Sequence, residues 1–276
     1  MAARRRDGKP GQLHMDGTAD GSLLVPLTVV EEFPGFEAGA SRTRHVKCDD
    51  GREYAIKAAD SDLGNPYLPA NEWIAARLAV ALDLPIIPHA VVCHESRLCF
   101  GSRWLGRELV PFITPELLAQ CRNVDTVHDL VIFDAWIING DRHPQNIWVH
   151  QQIGGPDDGA CDLLLPDHGH AVIPPGSKPE TLAANWLAVP AQLSAPKLPA
   201  VQATVSSLSS LRRAVAAIRT LPDDSIRTLV RSTPEEWLAA EEADAVVDFL
   251  LARRLRLPLV FAGADALYPA LRGGQL

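Results

Sequence analysis

The sequence predicts an α+β protein with two lobes, the first rich in strands and the second mainly helical. Residues 22–104 consist mostly of short β-branched and apolar runs separated by turn residues, with a single segment of helical spacing. From about residue 200 onward, helical patterns dominate. An enzyme built this way places its site in the cleft between the lobes. We predict a flexible tail at 1–20, a strand-rich N-lobe at 21–106 and a helical C-lobe at 107–276.

Composition and charge limit the class of protein. A chain of 276 residues with 47% apolar and 22% charged residues can bury a sizeable core, so wholesale disorder is excluded. A net charge of −8 argues against direct nucleic-acid binding, and no apolar run is long enough to span a membrane. The five cysteines are odd in number and form no C-x-x-C pair, so free thiols and a cytoplasmic location are expected.

The N-terminal elements follow from alternation and turn residues. Residues 22–33 indicate one or two strands, and a glycine-containing loop is expected at 35–45. The pattern then predicts a hairpin of strands 45–48 and 52–58 around Asp49-Asp50-Gly51, a helix at 70–82 and strands at 89–94 and 97–104.

The C-terminal elements follow from caps and helical spacing. Asp125 or Thr126 caps a helix that is expected to end at Gly140, and residues 147–149 and 162–165 predict a pair of short strands. The proline-rich stretch 174–199 favours no assignment. Further along, a capping box with proline at the first helical position predicts a helix that begins at Thr233-Pro-Glu-Glu236.

Four polar residues predict phosphoryl transfer. Asp141 and Asn146 lie five positions apart just beyond the predicted helix, and Asp167 ends a short apolar strand. Transfer to a hydroxyl needs a carboxylate near the attacking oxygen and oxygen ligands for Mg²⁺ beside the phosphates of ATP. We assign Asp141 to the attacking hydroxyl and Asn146 and Asp167 to Mg²⁺. Lys57, which projects from one face of the EYAIK strand, is assigned to the phosphates.

The same residues carry a resemblance to a known family. The segments are GREYAIK (51–57), NEWIAARLA (71–79), FDAWIINGDRHPQN (133–146) and PDHGHAV (166–172). Together they resemble the HipA-like kinases, which have a protein-kinase-like fold. The chain is expected to be a compact form without the extra N-terminal subdomain of full-length HipA toxins. The resemblance implies that Glu72 holds Lys57, that Asp167-His168-Gly169 replaces the kinase D-F-G motif, and that the acceptor is a protein serine or threonine.

Further nucleotide contacts are predicted in two loops. In the glycine-containing loop, Ser41, Arg42 and Thr43 are the candidate phosphate contacts, although a plain surface turn is the alternative. The resemblance also makes Ser41 a candidate autophosphorylation site. Arg142 is expected to support its loop by a salt bridge or to contact a phosphate. In kinase-like folds adenine lies against the segment between the lobes, here residues 103–110.

Three other functions compete with a protein kinase. A small-molecule alcohol is an alternative acceptor, because related kinase-like folds phosphorylate such compounds. A metal-dependent hydrolase is the second, with the metal held by Asp141, His143, Asp167, His168 and His170. A catalytically inactive nucleotide-binding scaffold is the third. Neither the acceptor nor an antitoxin-type partner is identified by residues 200–276.

Overall fold

The computed structural model of the chain has the predicted α+β composition. It describes residues 25–38, 42–59, 65–106, 109–110, 113–151, 159–190, 193, 195, 197–262, 264–274 and 276. The strands are β1 Leu27–Ala38, β2 Thr43–Cys48, β3 Glu53–Lys57, β4 His89–His94, β5 Arg97–Arg103, β6 Leu109–Val110, β7 Trp148–Gln151 and β8 Cys161–Leu164. The helices are α1 Leu68–Ala81, α2 Pro115–Gln120, α3 Thr126–Trp136, α4 Pro199–Thr204, α5 Leu208–Thr220, α6 Asp223–Arg231, α7 Ala240–Arg254 and α8 Leu257–Val260. Among the described residues, none of the helices is both long and apolar enough to cross a membrane.

The N-terminal strands close into a barrel in the order β1-β2-β3-β5-β4, with β1 parallel to β4. Side chains alternate between the two faces of a strand. Val46, Tyr54 and Ile56 therefore point into the buried barrel core. The intervening residues Ala55 and Lys57 face the other side, so the barrel presents the Lys57 ammonium outward rather than burying it among apolar groups.

Helix α1 is held against the barrel by the C-terminal part of the chain. Trp73 of α1 donates from its indole N–H to the Ser232 hydroxyl at 3.2 Å. Trp237, which is 3% exposed, donates to the Leu98 carbonyl of β5 at 3.0 Å. At the start of the helix, the Tyr67 hydroxyl donates to Glu242 at 2.6 Å. These contacts fix the helix that carries Glu72.

A buried arginine, Arg253, orders part of the proline-rich stretch 174–199, for which the sequence favoured no secondary structure. Arg253 of α7 is fully buried, and its guanidinium donates to four backbone carbonyls. These carbonyls belong to Ala135 of α3, to Asn185 at the end of the short 3-10 helix Pro179–Asn185, and to Trp186 and Ala188 just after it. A buried arginine needs every N–H satisfied, and these carbonyls accept its hydrogen bonds.

Three predicted boundaries are wrong. Strand β1 continues to Ala38 and β2 begins at Thr43, so these two strands take up most of the predicted glycine-containing loop, and Ala38 pairs with Thr43 across the hairpin. Helix α3 ends at Trp136 rather than Gly140, because Ile138 takes a left-handed φ of 50° and Asn139 N donates to the Asp134 carbonyl instead.

The third wrong boundary is the predicted helix start at Thr233. The Thr233 hydroxyl has no hydrogen-bond partner among the described residues, and α7 begins only at Ala240. Glu236, the acid of the predicted capping box, accepts instead from the Leu98 backbone N–H at 3.1 Å. Contacts with β5 therefore override the local helix signal, and Glu242 caps the backbone N–H of Ala239.

Candidate active site

Three predicted site residues meet around the Lys57 ammonium. The Lys57 Nζ lies 2.6 Å from Glu72 Oε1 and 2.9 Å from Asp167 Oδ1. The second Glu72 oxygen accepts from the His168 backbone N–H at 2.8 Å. The side chains of Lys57 and Glu72 are 11% and 3% exposed, whereas that of Asp167 is 42% exposed. The cluster is therefore closed on the Glu72 side and open on the Asp167 side.

The charges in this cluster stabilise one another. Burial by itself lowers the Lys57 pKa, but the Asp167 and Glu72 carboxylates outweigh burial and raise it. For Asp167, burial opposes ionisation, and the neighbouring Lys57 ammonium outweighs it and lowers the pKa. Burial raises the pKa of Glu72, and the negative charge of Asp167 adds to this, against the lowering effect of Lys57. Lys57 is thus a cation and Asp167 an anion over the neutral pH range.

The backbone after Asp167 is held by two asparagines that sequence reasoning missed. Asn65 and Asn71 both donate to the Gly169 carbonyl, at 3.0 and 2.8 Å. Asn71 also exchanges two hydrogen bonds with the backbone of Ile173. Asp167 itself has a left-handed φ of 56°, an uncommon conformation for a residue with a side chain, and these contacts help to fix it. An asparagine beside Glu72 in an otherwise mostly apolar helical segment was the available sequence signal.

Arg142 joins the Asp141 loop to the Asp167 segment. It is fully buried and makes a two-point ion pair with Asp134 of α3, at 2.9 and 3.0 Å. It also donates to the carbonyls of Asn146 and Pro166 and to His168 Nε2. These contacts engage all five guanidinium N–H groups. A phosphate contact would require the loss of one of them, so we expect Arg142 to support the loops rather than bind the nucleotide.

His168 is a buried, neutral group. It is 1% exposed, burial lowers its pKa well below the ordinary value, and the positive charge of Arg142 adds to this. Because arginine can only donate, His168 Nε2 must accept and the proton lies on Nδ1. His168, which the resemblance places where the D-F-G motif has phenylalanine, is thus an acceptor for Arg142.

Asn146 and Asp141 lie on one short loop. The Asn146 side chain donates from Nδ2 to the Asp141 carbonyl at 3.1 Å, which directs Oδ1 away from that carbonyl. The Asp141 backbone N–H lies 3.3 Å from Asn139 Oδ1, and its carboxylate is 49% exposed. The loop backbone is fixed while the carboxylate faces solvent. The amide oxygen of Asn146 and the carboxylate oxygens of the ionised Asp167 are oxygen ligands of the kind that Mg²⁺ prefers.

The histidines do not assemble a transition-metal site. Residues 168–170 form a turn rather than the strand that would place His168 and His170 on one face. His168 is buried against Arg142, whereas the His170 side chain is 42% exposed beside Asp141. Across the residues that the structure describes, no group of three or more His, Cys, Asp or Glu side chains is placed to hold a metal ion. The geometry does not favour the hydrolase.

The remaining predicted contacts lie along the barrel hairpin. Ser41 lies outside the described residues. Arg42 is exposed with a φ of 45°, and Thr43 is 8% exposed at the start of β2. In the predicted adenine segment, the Trp104 indole stacks on the His45 ring at 4.2 Å between centroids. His45 pairs with Ala55, two residues before Lys57, so this stack lies on the Lys57 face of the sheet.

Comparison with known proteins identifies a kinase family and solved kinase structures to which the chain is similar. The family model described as a HipA-like kinase matches residues 29–150. No curated protein matches the sequence. The proinflammatory kinase CtkA of Helicobacter pylori has a TM-score of 0.60 and 13% identity, over 89% of this chain and 99% of that chain. HipA in the toxin–antitoxin complex of Shewanella oneidensis MR-1 has a TM-score of 0.43 and 15% identity, over 79% of this chain and 60% of that chain.

The kinase-like fold of the chain is supported by its likeness to the CtkA structure. At 13% identity the likeness to CtkA shows the fold alone, and the family model adds the relation to kinases. Together they support a kinase. The resemblance to the HipA-like kinases is confirmed over residues 29–150, and the chain has the kinase-like fold, with a strand-rich N-terminal part and a helical C-terminal part.

Proposed function

We propose that this protein transfers the γ-phosphoryl group of Mg·ATP to a hydroxyl group. The observation that carries the proposal is the convergence of Glu72 and Asp167 on the Lys57 ammonium, at 2.6 and 2.9 Å. A cation from β3 is thereby held beside a carboxylate that remains open to solvent. Phosphoryl transfer needs this combination, a fixed positive charge for the phosphates and an anionic oxygen for the metal.

Each residue has a defined task in the reaction. Lys57 holds the α- and β-phosphate oxygens, and Glu72 keeps the ammonium in place. Asp167 and Asn146 would bind Mg²⁺, which neutralises charge on the phosphates when bound. Asp141 orients the acceptor hydroxyl and receives its proton as the oxygen bonds to the γ-phosphorus. The bond from that phosphorus to the β-phosphate oxygen breaks, ADP leaves, and Asp141 passes the proton to solvent.

The acceptor that we propose first is a serine or threonine of a protein, from the resemblance to the HipA-like kinases. The half-exposed Asp141 carboxylate is compatible with a large substrate. A small-molecule alcohol is the competing acceptor and an outcome of the test. We also expect a cytoplasmic location, because all five cysteines are free thiols, as is usual in a reducing compartment.

Calorimetry with a non-hydrolysable ATP analogue tests the proposal. We expect binding with Mg²⁺ and much weaker binding when the metal is chelated. Tight Zn²⁺ binding without nucleotide would favour the hydrolase, and binding of neither would favour an unrelated scaffold role. A second measurement follows ³²P from γ-labelled ATP into added proteins and into small alcohols. Nucleotide binding without transfer to any acceptor would indicate the inactive nucleotide-binding scaffold.

A further inference from the structure

The carboxylate assigned to the acceptor hydroxyl has a histidine beside it. His170 Nδ1 lies 3.3 Å from Asp141 Oδ2, and the two side chains are 42% and 49% exposed. At this ion-pair distance the contact is favourable with a proton on Nδ1 of His170, because an unprotonated ring nitrogen and a carboxylate oxygen would repel each other. This pair connects the Asp141 loop to the segment that carries Asp167.

The backbone around His170 is fixed from two sides. On one side, the carbonyl of Gly169 accepts from Asn65 and Asn71. On the other side, the backbone N–H of Val172 donates to the Ile137 carbonyl at 2.6 Å, just before the Asp141 loop. The backbone of residue 170 is therefore held at a set position relative to both the Asp167 segment and the Asp141 loop.

The Asp141 side chain has little else to orient it. Its backbone is tied by Asn139 and Asn146, but these contacts do not reach the carboxylate. At Gly140, the preceding residue, an added methyl group would meet no atom within 4 Å. Within the described part of the chain, His170 is the ion-pair partner recorded for Asp141. A half-exposed carboxylate without that partner would exchange among rotamers.

We propose that His170 is a positioning residue for Asp141, an inference that depends on the proposed function. Its ion-pair contact with Oδ2 restrains the carboxylate, so that the other oxygen, Oδ1, is directed to the acceptor hydroxyl. His170 contacts neither phosphate nor metal in this role. It acts by keeping the carboxylate in one orientation. Misplacement of a catalytic group by about 1 Å can reduce the rate about 100-fold.

Three substitutions at one position distinguish this role from others. Asparagine places an amide N–H close to where Nδ1 lies in histidine, whereas glutamine places it near Nε2. We expect His170→Ala and His170→Gln to lower kcat by about 10- to 100-fold, with the KM for ATP unchanged. His170→Asn should retain kcat within about threefold, because it keeps a polar N–H group close to Asp141 Oδ2. The measurement is steady-state ADP release from Mg·ATP, with water or an added protein as acceptor.

A matched control comes from the barrel. His94 makes the same kind of contact, with Nε2 at 3.1 Å from Glu32 Oε2, outside the residues assigned to the reaction. His94→Ala should leave kcat unchanged. Equal rates for wild type and His170→Ala would overturn the positioning role alone. Loss of activity in His170→Asn as severe as in His170→Ala would also overturn it, because it would point to proton uptake by the imidazole. If the wild-type protein released no ADP, both the proposed function and this inference would be contradicted.

Discussion

The two ends of the site are built in different ways. At the phosphate end, Lys57 lies between two carboxylates, and Glu72 is 3% exposed and receives a further backbone hydrogen bond. At the acceptor end, Asp141 and His170 are each nearly half exposed and meet at 3.3 Å. The phosphate end is held by several contacts and is mostly buried, whereas the acceptor end depends on one exposed contact.

This difference fits what each end would bind under the proposed function. A phosphate chain is the same in every cycle, so a preorganised charge cluster costs no rearrangement when the nucleotide enters. The acceptor has to approach Asp141 from solvent, and the carboxylate must stay accessible to it. Substitutions at the phosphate end should therefore affect folding and nucleotide binding together. Substitutions at the acceptor end should affect turnover alone.

The largest expected effect is on turnover at the acceptor end. Asp141→Ala should lower kcat by about 100- to 10,000-fold, the range for loss of a group that handles a proton in the transition state. Binding of the ATP analogue should not change, because Asp141 does not contact the Lys57 cluster. Calorimetry and ADP release on the same preparation separate the two quantities.

A control at a comparable carboxylate completes this test. Asp162 of β8 pairs with Arg122 outside the assigned residues, so Asp162→Ala should retain turnover. If Asp141→Ala retained turnover, or lost nucleotide binding to the same extent, the division of the site into two ends would be wrong.

The next effect is on stability at the phosphate end. Lys57→Met leaves the buried Glu72 carboxylate next to Asp167 without a cation. Breaking a buried ion pair in this way costs about 3–5 kcal/mol of unfolding free energy. Nucleotide affinity should fall as well. Urea unfolding measures the first quantity and calorimetry the second.

Lys47 provides the matched control for this substitution. It lies two strand positions from His45 on β2, on the same face of the sheet as Lys57. Lys47→Met should change the unfolding free energy by no more than about 0.5 kcal/mol. A fully stable Lys57→Met protein would show that the cluster contributes nothing to folding and that the two ends are alike.

A smaller effect is expected at Asp167, which lies at the solvent-exposed edge of the phosphate end. Asp167→Asn removes the charge that we assign to the metal and keeps the shape of the side chain. We expect the Mg²⁺ concentration at half-maximal ADP release to rise by about tenfold or more, as for other changes around a metal ligand. Asp162→Asn is the control. An unchanged Mg²⁺ titration would remove Asp167 from the metal site.

Local patterns were sufficient to predict the elements that carry Lys57, Glu72 and Asp167. Alternation along EYAIK placed Lys57 on the opposite face to Ile56, and helical spacing placed Glu72 on a helix that follows it. The strand that precedes Asp167 was also recognised. Each of these is a property of five to fifteen consecutive residues. The helix and strand periods therefore carry the information.

Long-range polar contacts were beyond such patterns. Two hydrogen bonds of Arg142 reach Pro166 and His168, 24 and 26 positions away, and Asn71 reaches Ile173 across 102 positions. Thr233 carried a strong local helix signal, yet the contacts of Glu236 and Trp237 with β5 moved the helix start to Ala240. In each case a tertiary hydrogen bond decides the structure, and no window of sequence contains both partners.

The smallest effect is a graded loss of stability in mild acid, and it should originate at the phosphate end. Burial lowers the pKa of His168 well below 6.5 and that of His89 to about 4. Below pH 6.5 these two histidines bind protons in the unfolded chain but not in the folded protein, so they lower the unfolding free energy as the pH decreases from about 6.5 toward 4, while the raised pKa of Glu72 acts in the opposite direction. The lowered pKa of Asp167 extends the loss in the same direction at still lower pH, below its ordinary value of 3.8.

Urea midpoints at several pH values give the slope of the unfolding free energy against pH. His168→Gln keeps an acceptor for Arg142 but cannot titrate, so its slope should be shallower than that of the wild type. Equal slopes would mean that the buried histidine is not what makes this end of the site sensitive to acid.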